Sequence, residues 1–388
     1  WISLGLRHND RKGTFSFFEI DRTMSDTRAT ILVTGGCGYI GTHTIVCLLQ
    51  KDYDVVVADN LSNSSIVSLD RVAEIVGLSE HDRASRLVFH QVDICDEAAF
   101  RKVFESSPRF ESCIHFAGLK AVGESTKKPL LYYDNNLSGT FVLLRMMDEF
   151  QCHSLVFSSS ATVYGAAENM PITEDTPVGA GITNAYGRTK YMIEEILRDF
   201  YQSQTLEEST TDWSITILRY FNPVGSHPSG KIGEDPNGIP NNLMPYVAQV
   251  AIGRREHLTV FGSDYNTADG TGVRDYLHVM DLADGHLAAM DYMKQKKSGI
   301  FTFNLGTGNG YSVLDMVKAM GKACGHEIKY VVGNRRQGDI ATCFADANLA
   351  KNEMGWVASR DLDEMCRDLW CWQTQNPNGF AGQPCESQ

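Results

Sequence analysis

From Thr30 the chain reads strand, helix, strand: Ile31-Leu32-Val33-Thr34 is a short run of the buried type, Tyr39 to Gln50 carries a helical pattern, and Asp54 to Ala58 is a second apolar run. Continuous apolar runs separated by helices mark parallel strands covered on both faces. Further β-like runs stand at Leu87 to His90, Cys113 to Phe116, Ser154 to Phe157 and Ser214 to Leu218, each separated from the next by enough chain for a crossover helix. The pattern predicts an α/β fold built on a doubly wound parallel sheet of six or seven strands. After Phe221 the texture changes to Pro- and Gly-rich loops with shorter elements. A first domain is therefore expected over 29–221 and a smaller C-terminal α/β substrate domain over 222–380, with chain crossings between them and a tail at 381–388.

Residues 1–28 have no strong periodicity, and Met24 stands just before the first strand. They are expected to form a disordered or spurious extension; Asp10, Glu19, Asp21 and Asp26 are too many acids for a transit peptide. The whole chain has 388 residues, 43% of them apolar, which is about two domains' worth and enough for a sizeable core. No run approaches the ~18 apolar residues of a membrane helix. A net charge of −13 disfavours nucleic acid and anionic membranes as partners. Ten cysteines from Cys37 to Cys385 show no metal-ligand spacing, so reduced thiols, no metal and a cytoplasmic location are expected.

Gly35-Gly36-Cys37-Gly38-Tyr39-Ile40-Gly41 lies between the first strand and the first helix. There a dinucleotide's pyrophosphate meets helix N-terminal N–H groups, and glycine lets the backbone approach the phosphates. Such spacing also occurs in plain tight turns. Context favours the nucleotide, because Asp59 ends the second strand where an acid accepts hydrogen bonds from the adenosine ribose. The same carboxylate repels a 2′-phosphate, which selects NAD over NADP; with the doubly wound sheet, the glycine loop makes a Rossmann-type fold the expectation. Asp93-Ile94 and Phe116-Ala117-Gly118 end the third and fourth strands, along the ligand-binding edge of such a sheet.

Ser158-Ser159-Ser160-Ala161-Thr162 follows another strand, and Tyr186 and Lys190 stand four apart at the start of a helical stretch, on one face. An ammonium beside a phenol favours phenolate; moving a tyrosine from ~10 towards ~7 takes about 4 kcal/mol. Lys190 and the positive nicotinamide ring are expected to supply it. Tyr186 would then act as general base on a sugar hydroxyl, with Ser160 sharing the proton.

These residues lie within longer strings that resemble the extended short-chain dehydrogenase/reductase family, in its sugar-nucleotide epimerase branch. The strings are Val33 to Gly36 through Gly41, His115 to Ser125 (HFAGLKAVGES), Tyr132 to Asn136 (YYDNN), Ser158 to Gly165, Leu218 to Gly225, Gly238 to Tyr246 and Gly270 to Leu282. The likeness covers about Thr30 to Phe380. It implies that Tyr39, Ile40, Asp59, Asn60, Asn63, Asp93, Phe116, Lys120 and Asn135 line an NAD site, and that Tyr186, Lys190 and Ser160 are the catalytic trio. It implies further that Asn222, Asn242, Leu243, Phe261, Arg274, Arg336 and Asp339 hold a UDP-hexose, in a C-terminal domain that mainly binds the UDP-sugar. Two arginines suit a pyrophosphate independently of the likeness. The implied reaction interconverts UDP-galactose and UDP-glucose: NAD takes the C4 hydride, the 4-keto sugar swings, and the hydride returns to its other face. A homodimer is implied as well. Cys343 matches a position facing the C2 substituent, where relatives carry tyrosine or cysteine; the small residue implies that N-acetylated UDP-hexosamines are accepted. Departures are Cys37 in the glycine loop, in place of a small polar residue, and a modest surface insertion at Ser79 to Arg86. A dehydratase on this fold would need an acid pair where Ala161 and Thr162 stand. A uronate-specific epimerase, which would want extra cations, and a non-catalytic NAD-responsive binding protein are the other readings.

Overall fold

A computed structural model describes residues 28–206, 213–336 and 339–382. Of the expected extension only Arg28 falls among these; the calls on the rest of it and on 383–388, Cys385 included, lie outside the described residues.

Seven strands form one parallel sheet: β1 (Thr30–Thr34), β2 (Asp54–Asp59), β3 (Leu87–Gln91), β4 (Phe110–His115), β5 (Ser154–Ser160), β6 (Ser214–Tyr220) and β7 (Gly299–Leu305). Their order is β7-β6-β5-β4-β1-β2-β3. Because successive side chains point to opposite faces, apolar residues are needed at every position. Ile31, Val33, Val55, Val57, Ile114 and Leu218 face one helical layer, whereas Leu32, Val56, Cys113, Phe157 and Ile217 face the other. The first layer includes α1 (Tyr39–Gln50); the second includes α2 (Pro129–Glu149) and α3 (Ala185–Leu206).

Beyond Phe221 the chain builds α4 (Leu243–Ala251), then returns to the sheet through α5 (Val279–Lys296), which packs on α1, and β7, which adds the outer strand beside β6. The core of the α1 layer runs on without a break into α4 and the C-terminal helix Leu362–Gln375, through Met244, Leu369 and Trp372. A small sheet centres on the strand Val273–His278, which takes Asn222–Val224 on one side and Gly310–Ser312 and Thr342–Cys343 elsewhere. Its register sets Asn222 opposite Tyr276 and Cys343 opposite Arg274. The surface insertion is a short helix, Glu80–Arg86, capped by Ser79 and burying no residue. Among the described residues, nine cysteines are free thiols, and no helix is long and apolar enough to cross a membrane.

Candidate active site

The strand order reverses between β1 and β4, and ligands of such sheets bind at the carboxyl ends flanking that point. Register places Thr34 beside His115, His115 beside Phe157, and Ser160 beside Tyr220, so these strand ends form one edge. Gly35 holds φ of +69°, and a Cβ there would stand 2.6 Å from the Ala117 nitrogen. A Cβ on Gly41 would stand 2.7 Å from the Gly35 carbonyl oxygen. Only bare backbone fits this cradle. Gly38, the residue preceding α1, offers no side-chain cap, which leaves the helix's first N–H groups to a phosphate.

Asp59 is buried beside the cradle. It accepts from the Cys37 N–H at 3.0 Å, the Leu61 N–H at 2.9 Å and the Ser64 hydroxyl at 2.9 Å. A carboxylate takes about four such bonds, so one direction remains for a ribose hydroxyl. Asn60 donates to Asp93 at 3.2 Å, and Asn63 accepts from the Asn237 N–H at 3.2 Å. Tyr39 donates to the Gly225 carbonyl at 2.7 Å, Ile40 leans on the core, and Asn135 donates to Asn136 at 3.0 Å. The Phe116 ring packs 4.8 Å from that of His286, just before Ala117 and Gly118. The side chain of Ile94, by contrast, fills the core against Gly139. The cradle, uncapped helix and lone carboxylate fit NAD.

Tyr186 is the second residue of α3, whose start is held by Asn184 accepting from the Gly187 N–H at 2.8 Å. Ser160 Oγ accepts from both the N–H and the hydroxyl of Thr162, at 3.2 and 3.0 Å. Its own proton is thereby left for Tyr186, with which it pairs. The electrostatics differ from the sequence expectation. Burial pushes the Tyr186 phenol up, and the hydrogen bond from Ser160 and the charge of Lys120 oppose this without overcoming it. Lys190 donates instead to the Ser158 carbonyl at 2.5 Å, with its ammonium 6.0 Å from the Tyr186 ring centre and 4.8 Å from that of Phe157. Only 5% exposed, it is pushed down to about 8 by burial, against the opposing pull of Glu194. The protein's own groups thus keep both residues nearer neutrality than spacing alone suggested, which leaves the nicotinamide charge a larger share of the work.

The expected substrate residues come from several elements: Asn222, Arg274 and Cys343 lie on the small sheet, Phe261 ends a strand of a separate pair, Leu258–Phe261, Asn242 and Leu243 stand at the start of α4, and Arg336 and Asp339 lie on a loop. Arg274 and Arg336 both act on the Tyr276 phenol, next to Asn222 in register. Arg336 lies over the Phe261 ring at 5.3 Å and pairs with Asp339 at 2.9 Å. Cys343, opposite Arg274, packs into the same cluster as Ala161, the neighbour of Ser160. Asn242 precedes α4 without capping it, so no side chain caps the N–H groups of Leu243 and Met244; Pro245 has none.

A family model described as GDP-mannose 4,6 dehydratase matches residues 32–369. The UDP-glucose 4-epimerase of Bacillus subtilis is 57% identical over 350 residues, covering 90% of this chain and 98% of its own. That of Mus musculus is 54% identical over 359 residues, covering 91% and 99%. The crystal structure of the Bifidobacterium longum UDP-glucose 4-epimerase, in complex with NAD+ and UDP, superposes with a TM-score of 0.84 at 52% identity, covering 90% of this chain and all of that one. The chain belongs to the UDP-glucose 4-epimerase family.

Membership in the UDP-glucose 4-epimerase family sharpens what sequence reasoning passed over. Tyr220 ends β6 directly beside Ser160 and bonds His286; the strand expected from the sequence stopped at Leu218, two residues short of it. Thr162 was noted only as a non-acid, yet it orients Ser160. Glu194 is fully buried and accepts from Ser159 at 2.5 Å and Arg219 at 2.6 Å, tying β5 and β6 to α3. Glu234 accepts from both Lys120 and Asn242, and no local motif announces it.

Proposed function

We propose that this protein interconverts UDP-galactose and UDP-glucose on a retained NAD. What carries the reading is the placement of Ser160, Tyr186 and Lys190 at the sheet edge, beside a cradle that admits only backbone and a nucleotide. Bound NAD supplies the hydride acceptor and a fixed positive ring. Tyr186 takes the proton of the sugar's C4 hydroxyl and returns it after the sugar has turned. Ser160, oriented by Thr162, donates to the oxygen that carries charge at each stage. Lys190, its ammonium 6.0 Å from the Tyr186 ring centre, adds positive charge beside the base. Arg274, Arg336 and the uncapped N-terminus of α4 grip the diphosphate, while Phe261 and Asn222 flank the nucleotide and sugar. A firmly held nucleotide and a loosely held hexose are what turning requires.

We assign 29–221 mainly to NAD and 222–380 mainly to the UDP-sugar, and the protein to the cytoplasm as a homodimer. The dimer draws support from apolar side chains left exposed on the packed pair α2 and α3: Leu130, Leu131, Phe141 and Met192. Leu130 and Phe141 are three helical turns apart on one face, and Leu130 is 74% exposed. The test of function is composition and balance. Extensively purified protein should contain NAD and convert UDP-galactose with no NAD added. Protein free of NAD that accumulates NADH with substrate would make it a dehydrogenase.

A further inference from the structure

Lys120 follows β4 on the cofactor side, and Asn242 precedes α4 on the substrate side. Their nearest shared partner is one oxygen: Glu234 Oε1 accepts from Lys120 Nζ at 3.0 Å and from Asn242 Nδ2 at 2.9 Å. The Glu234 side chain is 7% exposed, and its backbone has little freedom. Gly233 is pressed so closely on Trp372 that a Cβ would stand 2.4 Å from the indole. Ile232 is fully buried, the Lys231 carbonyl accepts from Arg71 at 2.8 Å, and Asp235 accepts from the Phe380 N–H at 2.7 Å. Residues 231–235 are therefore a pinned strap, and the carboxylate is delivered to a set place.

We propose that Glu234 is a positioning residue: it holds the Lys120 ammonium within reach of Tyr186, tempers that charge, and links it through Asn242 to the substrate half. The inference rests on the reading of the site given above. The groups facing Tyr186 can be named from each element. Lys190 lies on its own helix, Ser160 at the end of β5, Lys120 after β4, Tyr132 on α2 and Tyr220 at the end of β6. Lys120 and Lys190 are the cations of this set. Lys190 lies 6.0 Å from the Tyr186 ring centre but is turned to the Ser158 carbonyl and faces Glu194, while the Lys120 charge opposes the upward push of burial on the phenol. Glu234 holds Lys120 in its charged form against burial while cancelling part of its field at Tyr186. The base is thus set by an anion whose hydrogen bonds go to Lys120 and Asn242.

Removing that anion while keeping its shape should favour the phenolate; removing the cation should disfavour it. The experiment measures kcat/KM for UDP-galactose against pH with NAD-containing enzyme, for the unsubstituted protein, Glu234→Gln, Lys120→Met and the double variant. Glu234→Gln should move the acid limb down by about half a pH unit, which is about threefold higher relative activity below it. Lys120→Met should move the limb up, and the double variant should fall between the two single variants, because the opposite fields of the ammonium and the carboxylate add at the phenol. Phenolate absorbance, taken as the difference between each protein and its Tyr186→Phe counterpart, reads the same shifts where turnover is too slow to follow. Coincident limbs for Glu234→Gln and the unsubstituted enzyme would overturn the inference. So would a double variant whose limb coincides with that of Lys120→Met. Failure of the unsubstituted enzyme to turn over UDP-galactose is a separate result; it removes the functional reading and this inference with it.

Discussion

Lys190→Met should make the protein more stable at neutral pH while abolishing its activity. Lys190 is almost wholly buried, and burial brings it from its ordinary 10.5 to about 8. Since the folded value lies below the unfolded one, the folded protein binds fewer protons between about pH 8 and 10.5, and stability rises with pH across that window. Below pH 8 the full penalty of a buried ammonium is present. Going from 10.5 to about 8 corresponds to about 3 kcal/mol. Methionine fills nearly the same volume without the charge, and gives up the hydrogen bond to the Ser158 carbonyl, worth about 1 kcal/mol. The net gain at pH 7 is therefore about 2 kcal/mol, falling to about zero near pH 10. Urea unfolding followed by tryptophan fluorescence at both pH values, with matched NAD content, measures it. A variant less stable at pH 7, or a difference independent of pH, would refute the argument.

Tyr186→Phe should lower turnover by ~10²- to 10⁴-fold while leaving bound NAD in place, because only the proton-transferring hydroxyl is lost; cofactor content and rate, measured on one sample, check both halves. Gly35→Ala should empty the cofactor site, since its Cβ would meet the Ala117 backbone at 2.6 Å and the residue holds φ of +69°; the absorbance of released nucleotide after denaturation reads this out. Cys343→Tyr should spare UDP-galactose and remove turnover of UDP-N-acetylgalactosamine, through about 1 to 3 kcal/mol of overpacking where Cys343 meets the Ala161 cluster; product ratios with the two substrates decide, and equal losses on both would contradict a role in fitting the C2 group.

Much of this site is local in the chain and was legible there. The glycine loop with Asp59, and the four-residue step from Tyr186 to Lys190, are short-range patterns whose meaning follows from backbone geometry. Six strands showed as apolar runs because both faces of a parallel sheet must be covered. The seventh, Gly299–Leu305, was not placed, since it reaches the sheet only after a long excursion and pairing with β6 leaves no local mark. Distance also hid Glu234, which acts by joining residues 114 positions behind it and eight ahead. Spacing put Lys190 on the face of Tyr186 but could not show that its ammonium turns to the Ser158 carbonyl, or that burial outweighs the charges around the phenol. Those depend on what packs around the pair.

The central claim is that one hydride leaves C4 and comes back to it within a single closed site. UDP-galactose deuterated at C4, incubated with the purified protein in ordinary water and without added NAD, tests this by mass and NMR analysis of the product. The account predicts UDP-glucose with deuterium still at C4 and no reduced cofactor released. Loss of the label to solvent, or its appearance in free reduced NAD, would contradict it.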